Sequence, residues 1–236
     1  MPTIETQGPD VESILRRDAQ LVYDFLRVSQ PLQPAEVGII FGGNSIGPII
    51  MAGALHQRGF IDSIAFMSGG GTSGLHLQQA AEIAQHTGHE IEIAADMTEV
   101  EAFRLILEMI GTPPTAIITP NKDQMTWNTK EEAHALPQFL LERIGHTPSA
   151  TVLTRGWHTR RVNATLDVQA RPYLNGAEWN MFPVREPIDT QNLALLKNIA
   201  GEVPRLMKYA QSGDISEQNI PDSILQANGR LETALK

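Results

Sequence analysis

The sequence predicts an α/β protein built on a mainly parallel sheet of about five strands, with helices on both faces and an added helical C-terminal part. Three observations carry that expectation. Short apolar runs such as Val37-Gly-Ile-Ile-Phe41 recur along the chain, as strands buried on both faces of a parallel sheet require. Segments with apolar residues at helical spacing alternate with those runs. The first two runs end in glycine-rich loops, Gly42-Gly43-Asn44-Ser45 and Ser68-Gly69-Gly70-Gly71.

The elements follow in order. Residues 11–28 read as an amphipathic helix, with Val11, Ile14, Leu15, Leu21, Val22, Phe25 and Leu26 on one face, ended by Pro31 and Pro34. Val37–Phe41 is the first strand, and a helix follows the glycines from Pro48 to about Arg58. Ile61–Met67 is the second strand and Leu75–His86 the next helix. A helix over Glu99–Ile110, a strand over Ala116–Thr119 and a helix over Thr129–Ile144 come next. Ala150–Leu153 is a strand, His158–Ala170 a helix and Trp179–Val184 a fifth strand. Leu193–Ala210 is a long helix in which Pro204 is expected to introduce a kink, and 221–236 is a short terminal helix. This divides the chain into an N-terminal helical segment, 1–34, an α/β domain, 35–186, and a C-terminal helical segment, 187–236, packed on the core.

Composition narrows the function. A hydrophobic fraction of 42% over 236 residues supports a sizeable core and argues against disorder. The net charge of −9 argues against a nucleic-acid surface, which needs clustered Lys and Arg. The absence of Cys removes disulfides, thiolate metal sites and a cysteine nucleophile together. Val37–Leu55 carries no charge and is as long as a membrane span, but its glycines and Pro48 fit a strand, a turn and a helix start better. The first seventeen residues contain acids and no apolar run, so no signal peptide is expected and a cytoplasmic location is. No H-E-x-x-H occurs, so no metal site is expected.

Ligands of parallel sheets bind beyond the carboxyl ends of the strands, so the residues after each run are the informative ones. Gly42-Gly43-Asn44 and Ser68-Gly69-Gly70 allow close backbone approach, although neither matches a dinucleotide or P-loop fingerprint and either is equally a plain turn. Asn128 and Thr129 can cap the helix that follows them, and Glu131 and Glu132 suit its first turn. Met125 and Trp127, in the same loop, either pack in the core or offer an apolar surface to a ligand ring. Arg155, His158, Arg160 and Arg161 gather near a helix N-terminus, where cations are not favoured; an anionic ligand group or a surface ion-pair cluster would explain them.

Taken in order, these segments resemble the YdcF-like family. The resemblance rests on strands ending in Gly42-Gly43-Asn44 and Ser68-Gly69-Gly70, on Glu101-Ala102 opening a helix, and on Asn128-Thr129 with Glu131 nearby. It extends to the helix start at His158 and Arg160-Arg161 and to Gly201-Glu202-Val203-Pro204-Arg205-Leu206, which is like the C-terminal segment of the family's soluble branch. It covers residues 35–210. Two departures stand out: Glu132 replaces an expected Asn, and Trp127 looks inserted.

What the resemblance implies is a Rossmann-like, doubly wound fold with an added helical part and, from one described member, S-adenosyl-L-methionine as ligand. The resulting expectation is a small nucleotide-type ligand held by Gly42, Gly43, Asn44, Ser68, Gly69, Gly70, Glu101, Asn128, Thr129, Arg155, His158, Arg160 and Arg161. Glu101 or Glu131 would take a ribose hydroxyl or an ammonium, and the arginines a carboxylate. One alternative is an enzyme acting on a phosphorylated or nucleotide-linked envelope precursor, with His158 or Glu131 as the catalytic candidates. Another is an interaction module without a small ligand, with a homodimer as one form of it.

Overall fold

The computed structural model describes residues 11–41, 45–67, 88, 97–121 and 124–236. The helix expected over Leu75–His86 and the loop residues Gly42, Gly43, Asn44, Ser68, Gly69 and Gly70 lie outside them.

Five parallel strands form one sheet: β1 (Ala35–Ile40), β2 (Ile61–Phe66), β3 (Ile117–Ile118), β4 (Ala150–Arg155) and β5 (Trp179–Val184). Their order is β3-β2-β1-β4-β5, with β1 paired to both β2 and β4. This is the Rossmann-like order. The chain builds outward from β1 to β3, then crosses back to build β4 and β5 on the other side of β1.

Side chains alternate along the strands, and each face is covered by its own helices. Val37, Ile39, Val152 and Met181 pack under α4 (Thr129–Ile144) and α5 (Thr159–Gln169), through Leu136, Leu140, Val162 and Leu166. Ile40, Ile64, Phe66 and Leu153 pack against α2 (Gly47–Gln57) and α3 (Glu99–Met109), through Ile49, Leu55, Phe103 and Ile106. A third apolar cluster joins the two ends of the chain. In it α1 (Val11–Leu26), α6 (Leu193–Gln211) and α7 (Asp222–Ala234) bury Val22, Leu26, Leu196, Ile199, Leu206 and Leu231 together with Trp157.

The element boundaries differ from expectation in two instructive places. The third strand shrinks to Ile117–Ile118 behind a 3-10 turn over Pro114–Ala116, in which the Ala116 N–H is bonded to the Pro113 carbonyl at 2.9 Å. Strand β4 runs on to Arg155, and the helix after it starts at Thr159, because Gly156–His158 forms a 3-10 turn. The helix expected over Leu193–Ala210 is present as Leu193–Gln211, with Pro204 inside it. No helix among the described residues is long and apolar enough to cross a membrane.

Candidate functional site

The strand order locates the crevice. The order in which the chain adds strands reverses between β1 and β4, and the carboxyl ends of that pair flank the position where open α/β sheets take ligands. His158 follows β4 on the β1 side of this reversal, and the loop residues expected after β1 and β2 lie outside the described residues.

His158 closes the 3-10 turn after β4 and is buried, 6% exposed. Its Nδ1 lies 3.2 Å from Thr154 Oγ1, and its Nε2 lies 3.4 Å from Thr129 Oγ1, long for a hydrogen bond. Its ring stacks on Trp157 at 5.4 Å. Burial, and then the charges of Arg161, Arg205 and Arg155, hold its pKa well below the ordinary histidine value, so the ring is neutral at pH 7.

Behind the histidine lies a charged network. Glu202, on α6, is fully buried and accepts Arg161 Nε at 2.7 Å and Arg205 Nη1 at 2.8 Å. Arg161 reaches forward as well: its Nη1 donates to Thr129 Oγ1 at 3.1 Å. One carboxylate thus faces two guanidiniums, which leaves one positive charge in excess within this cluster.

The other arginines are directed elsewhere. Arg155 donates to Glu186 Oε1 at 2.7 Å and lies over the Trp157 ring. Arg160 lies 4.0 Å from the Phe25 ring centroid and donates to the Phe25 carbonyl at 2.6 Å and to Gln218 at 3.3 Å, a position on the α1 side of α5. Of the three, Arg161 alone is bonded to the groups around His158. Glu101 closes a capping box with Thr98 at the start of α3, its Oε2 accepting the Thr98 N–H at 2.8 Å. It is not among the groups joined to His158.

The loop after β3 completes the arrangement. Thr126 Oγ1 donates to the Met67 carbonyl, just past β2, at 2.8 Å. Three residues later, Thr129 meets His158, just past β4. Three residues span about 10 Å when extended, which matches two strand spacings of about 4.8 Å. The loop is thus tied at Thr126 to the residue after β2 and at Thr129 to the turn after β4, the two neighbours of β1. Asn128 Oδ1 caps α4, accepting the N–H groups of Lys130 at 3.1 Å and Glu131 at 3.0 Å. Glu131 returns the favour, accepting from Trp127 N at 2.9 Å and Asn128 Nδ2 at 2.7 Å. Its carboxylate holds the loop in place. Above this pinned backbone the Trp127 side chain stands out into solvent, 72% exposed.

Three contributors were not assigned their roles from sequence. Glu202 lay within a matched segment, but nothing in its spacing says that it answers Arg161 from another layer. Thr154 reads as one more strand residue. Gly156 has a geometric reason: a Cβ there would fall 2.0 Å from Tyr23 Oη. That phenol accepts the Glu186 N–H at 3.1 Å and so ties α1 to the ends of β4 and β5. Among the described residues, no group of three or more His, Asp or Glu could hold a metal ion.

Comparison with known proteins adds one relation. The chain is 27% identical over 218 residues to the uncharacterised protein SCO4629 of Streptomyces coelicolor, covering 89% of this chain and 87% of that protein. The two are distant homologues over nearly their whole lengths. No family model matches the chain, so the likeness to the YdcF-like family rests on the motifs alone.

Proposed function

We propose that the protein binds a small nucleotide-type ligand at the carboxyl ends of β1 and β4. The observation that carries this reading is the pairing of two unlike surfaces over one strand end. An exposed aromatic, Trp127, stands on the loop that Glu131 holds between the ends of β2 and β4, and beside it lies a polar cluster around Thr129 and His158 that includes the Arg161 guanidinium. A planar base with an anionic group matches that pairing: stacking takes the ring, and the cluster takes the charge. The glycine residues Gly42 and Gly43 follow β1 in sequence, and Ser68, Gly69 and Gly70 follow β2, where backbone N–H groups would supplement the side chains.

S-adenosyl-L-methionine, the ligand implied by the family resemblance, fits this description through its adenine ring and carboxylate and is the first compound to try. Titration calorimetry of the full chain with S-adenosyl-L-methionine and with adenine and uridine nucleotides tests the reading. Saturable heat with one of them in the micromolar range supports it. Absence of heat with all of them at high micromolar concentration removes it.

A further inference from the structure

The arginines around the site are each bonded to protein groups, which raises the question of what meets the ligand's anionic group. The hydrogen-bond directions answer it. Thr154 is wholly buried, and the partner its hydroxyl finds among the described residues is His158 Nδ1. A buried hydroxyl that only accepted would strand its proton without a partner. Thr154 therefore donates, and Nδ1 accepts. In a neutral imidazole the proton then sits on Nε2, which faces Thr129 Oγ1. That oxygen also accepts from Arg161 Nη1. With two N–H groups directed at its lone pairs, the Thr129 hydroxyl turns its own proton outward. The N–H groups of Lys130 and Glu131, at the same helix start, are occupied by Asn128. The Thr129 O–H is thus a directed donor, polarised from behind by a guanidinium and an imidazole.

We infer that Thr129 Oγ1 is the direct contact of an oxyanion subsite that takes a phosphate or carboxylate of the ligand, with Arg161 and His158 as positioning residues that act through it. The inference rests on the proposed ligand site at β1 and β4 and names the chemistry of one part of it. It also changes the part expected of the arginines: Arg161 supplies charge through a hydroxyl, and Arg155 and Arg160 serve the surrounding structure.

Nitrogen NMR of the full chain labelled at histidine tests it twice. In the unliganded wild type, the His158 ring is expected as the Nε2–H tautomer; an Nδ1–H ring would reverse both of its bonds, turn the Thr129 proton onto Nε2 and overturn the inference without any variant. Inorganic phosphate and acetate are then titrated separately. The expected result is a saturable shift of the His158 Nε2 signal in wild type and in Thr129→Ser, with apparent affinity at least tenfold weaker in Thr129→Val. The anion that binds more tightly identifies the group. A Thr129→Val response equal to wild type, or no response to either anion in wild type, overturns the subsite. A phosphate or acetate response with no binding of any nucleotide or of S-adenosyl-L-methionine upholds the subsite and removes the nucleotide-type reading. Equal nucleotide binding by wild type and Thr129→Val upholds that reading and removes the subsite.

Discussion

Asp18, on α1, and Glu202, on α6, are both buried carboxylates, 1% and 0% exposed, and each is held by two arginines. At Asp18 the arginines are Arg17 and Arg230, whose side chains are 67% and 49% exposed. Their bonds end there, and the result is a clasp between the first and last helices. At Glu202 the partner Arg161 is only 16% exposed and continues to Thr129 and so to His158. A buried acid with two arginines therefore does not by itself mark a site. What separates the two is where the second end of the arginine goes: to water in one region, and to the carboxyl edge of the sheet in the other.

Substitution should separate the regions by magnitude. Glu202→Gln leaves Arg161 buried without its counter-charge, and breaking a buried pair in this way costs about 3–5 kcal/mol. Asp18→Asn leaves two arginines that can turn into solvent, so the loss is that of charge-assisted hydrogen bonds, about 1.5–3 kcal/mol. Urea unfolding of the two variants measures both. Equal costs would break the distinction, because Arg161 would then be as free to rehydrate as Arg230.

Acid should separate them next. The folded state holds the His158 pKa far below its unfolded value, so the unfolded chain takes up that proton first on acidification. Stability from this residue is full above about pH 6.5 and falls below it by about 1.4 kcal/mol per pH unit, until the folded pKa is reached. Asp18 behaves differently. Its carboxyl is held below the usual range chiefly by Arg230, so its contribution is full above about pH 4 and is lost as pH falls further. Unfolding between pH 7 and 4.5 is thus expected to report on the β4 region, and His158→Gln should flatten that limb while leaving the loss below pH 4. A wild type equally stable at pH 7 and pH 5 would show that water or a counter-ion reaches the ring.

The parts of this arrangement were unevenly legible in the sequence. The helices over Thr129–Ile144 and Leu193–Gln211 and the fifth strand announced themselves, because periodic burial and capping residues are local signals. The third strand was overread: two isoleucines suggested a run from Ala116, but the Ala116 N–H is taken by the Pro113 carbonyl in a 3-10 turn. Around the site, Asn128 and Thr129 were recognisable as a helix start, and Arg155, Arg160 and Arg161 as an excess of charge. Their division of labour was hidden, since it depends on partners 31, 135 and 41 residues away: Glu186, Phe25 and Glu202. The strand order was hidden for the same reason, and with it the fact that His158 flanks the turning point of the sheet. Spacing along a chain shows which residues share an element; it does not show which elements cross at one strand end.

Trp127 offers the smallest structural effect and the cleanest separation of fold from site. Its ring is mostly in solvent, and the loop beneath it is held by backbone and side-chain bonds that Ala would keep, through Glu131, Asn128 and Thr126. Trp127→Ala should therefore change stability by less than about 0.5 kcal/mol. If a base stacks on that ring, the same variant weakens ligand binding by about 1–3 kcal/mol. Calorimetry and urea unfolding on one preparation read both quantities. A loss of stability comparable to that of Asp18→Asn would mean that the indole supports the loop, and the tryptophan would then belong with the clasp at α1 and not with the polar cluster at β4.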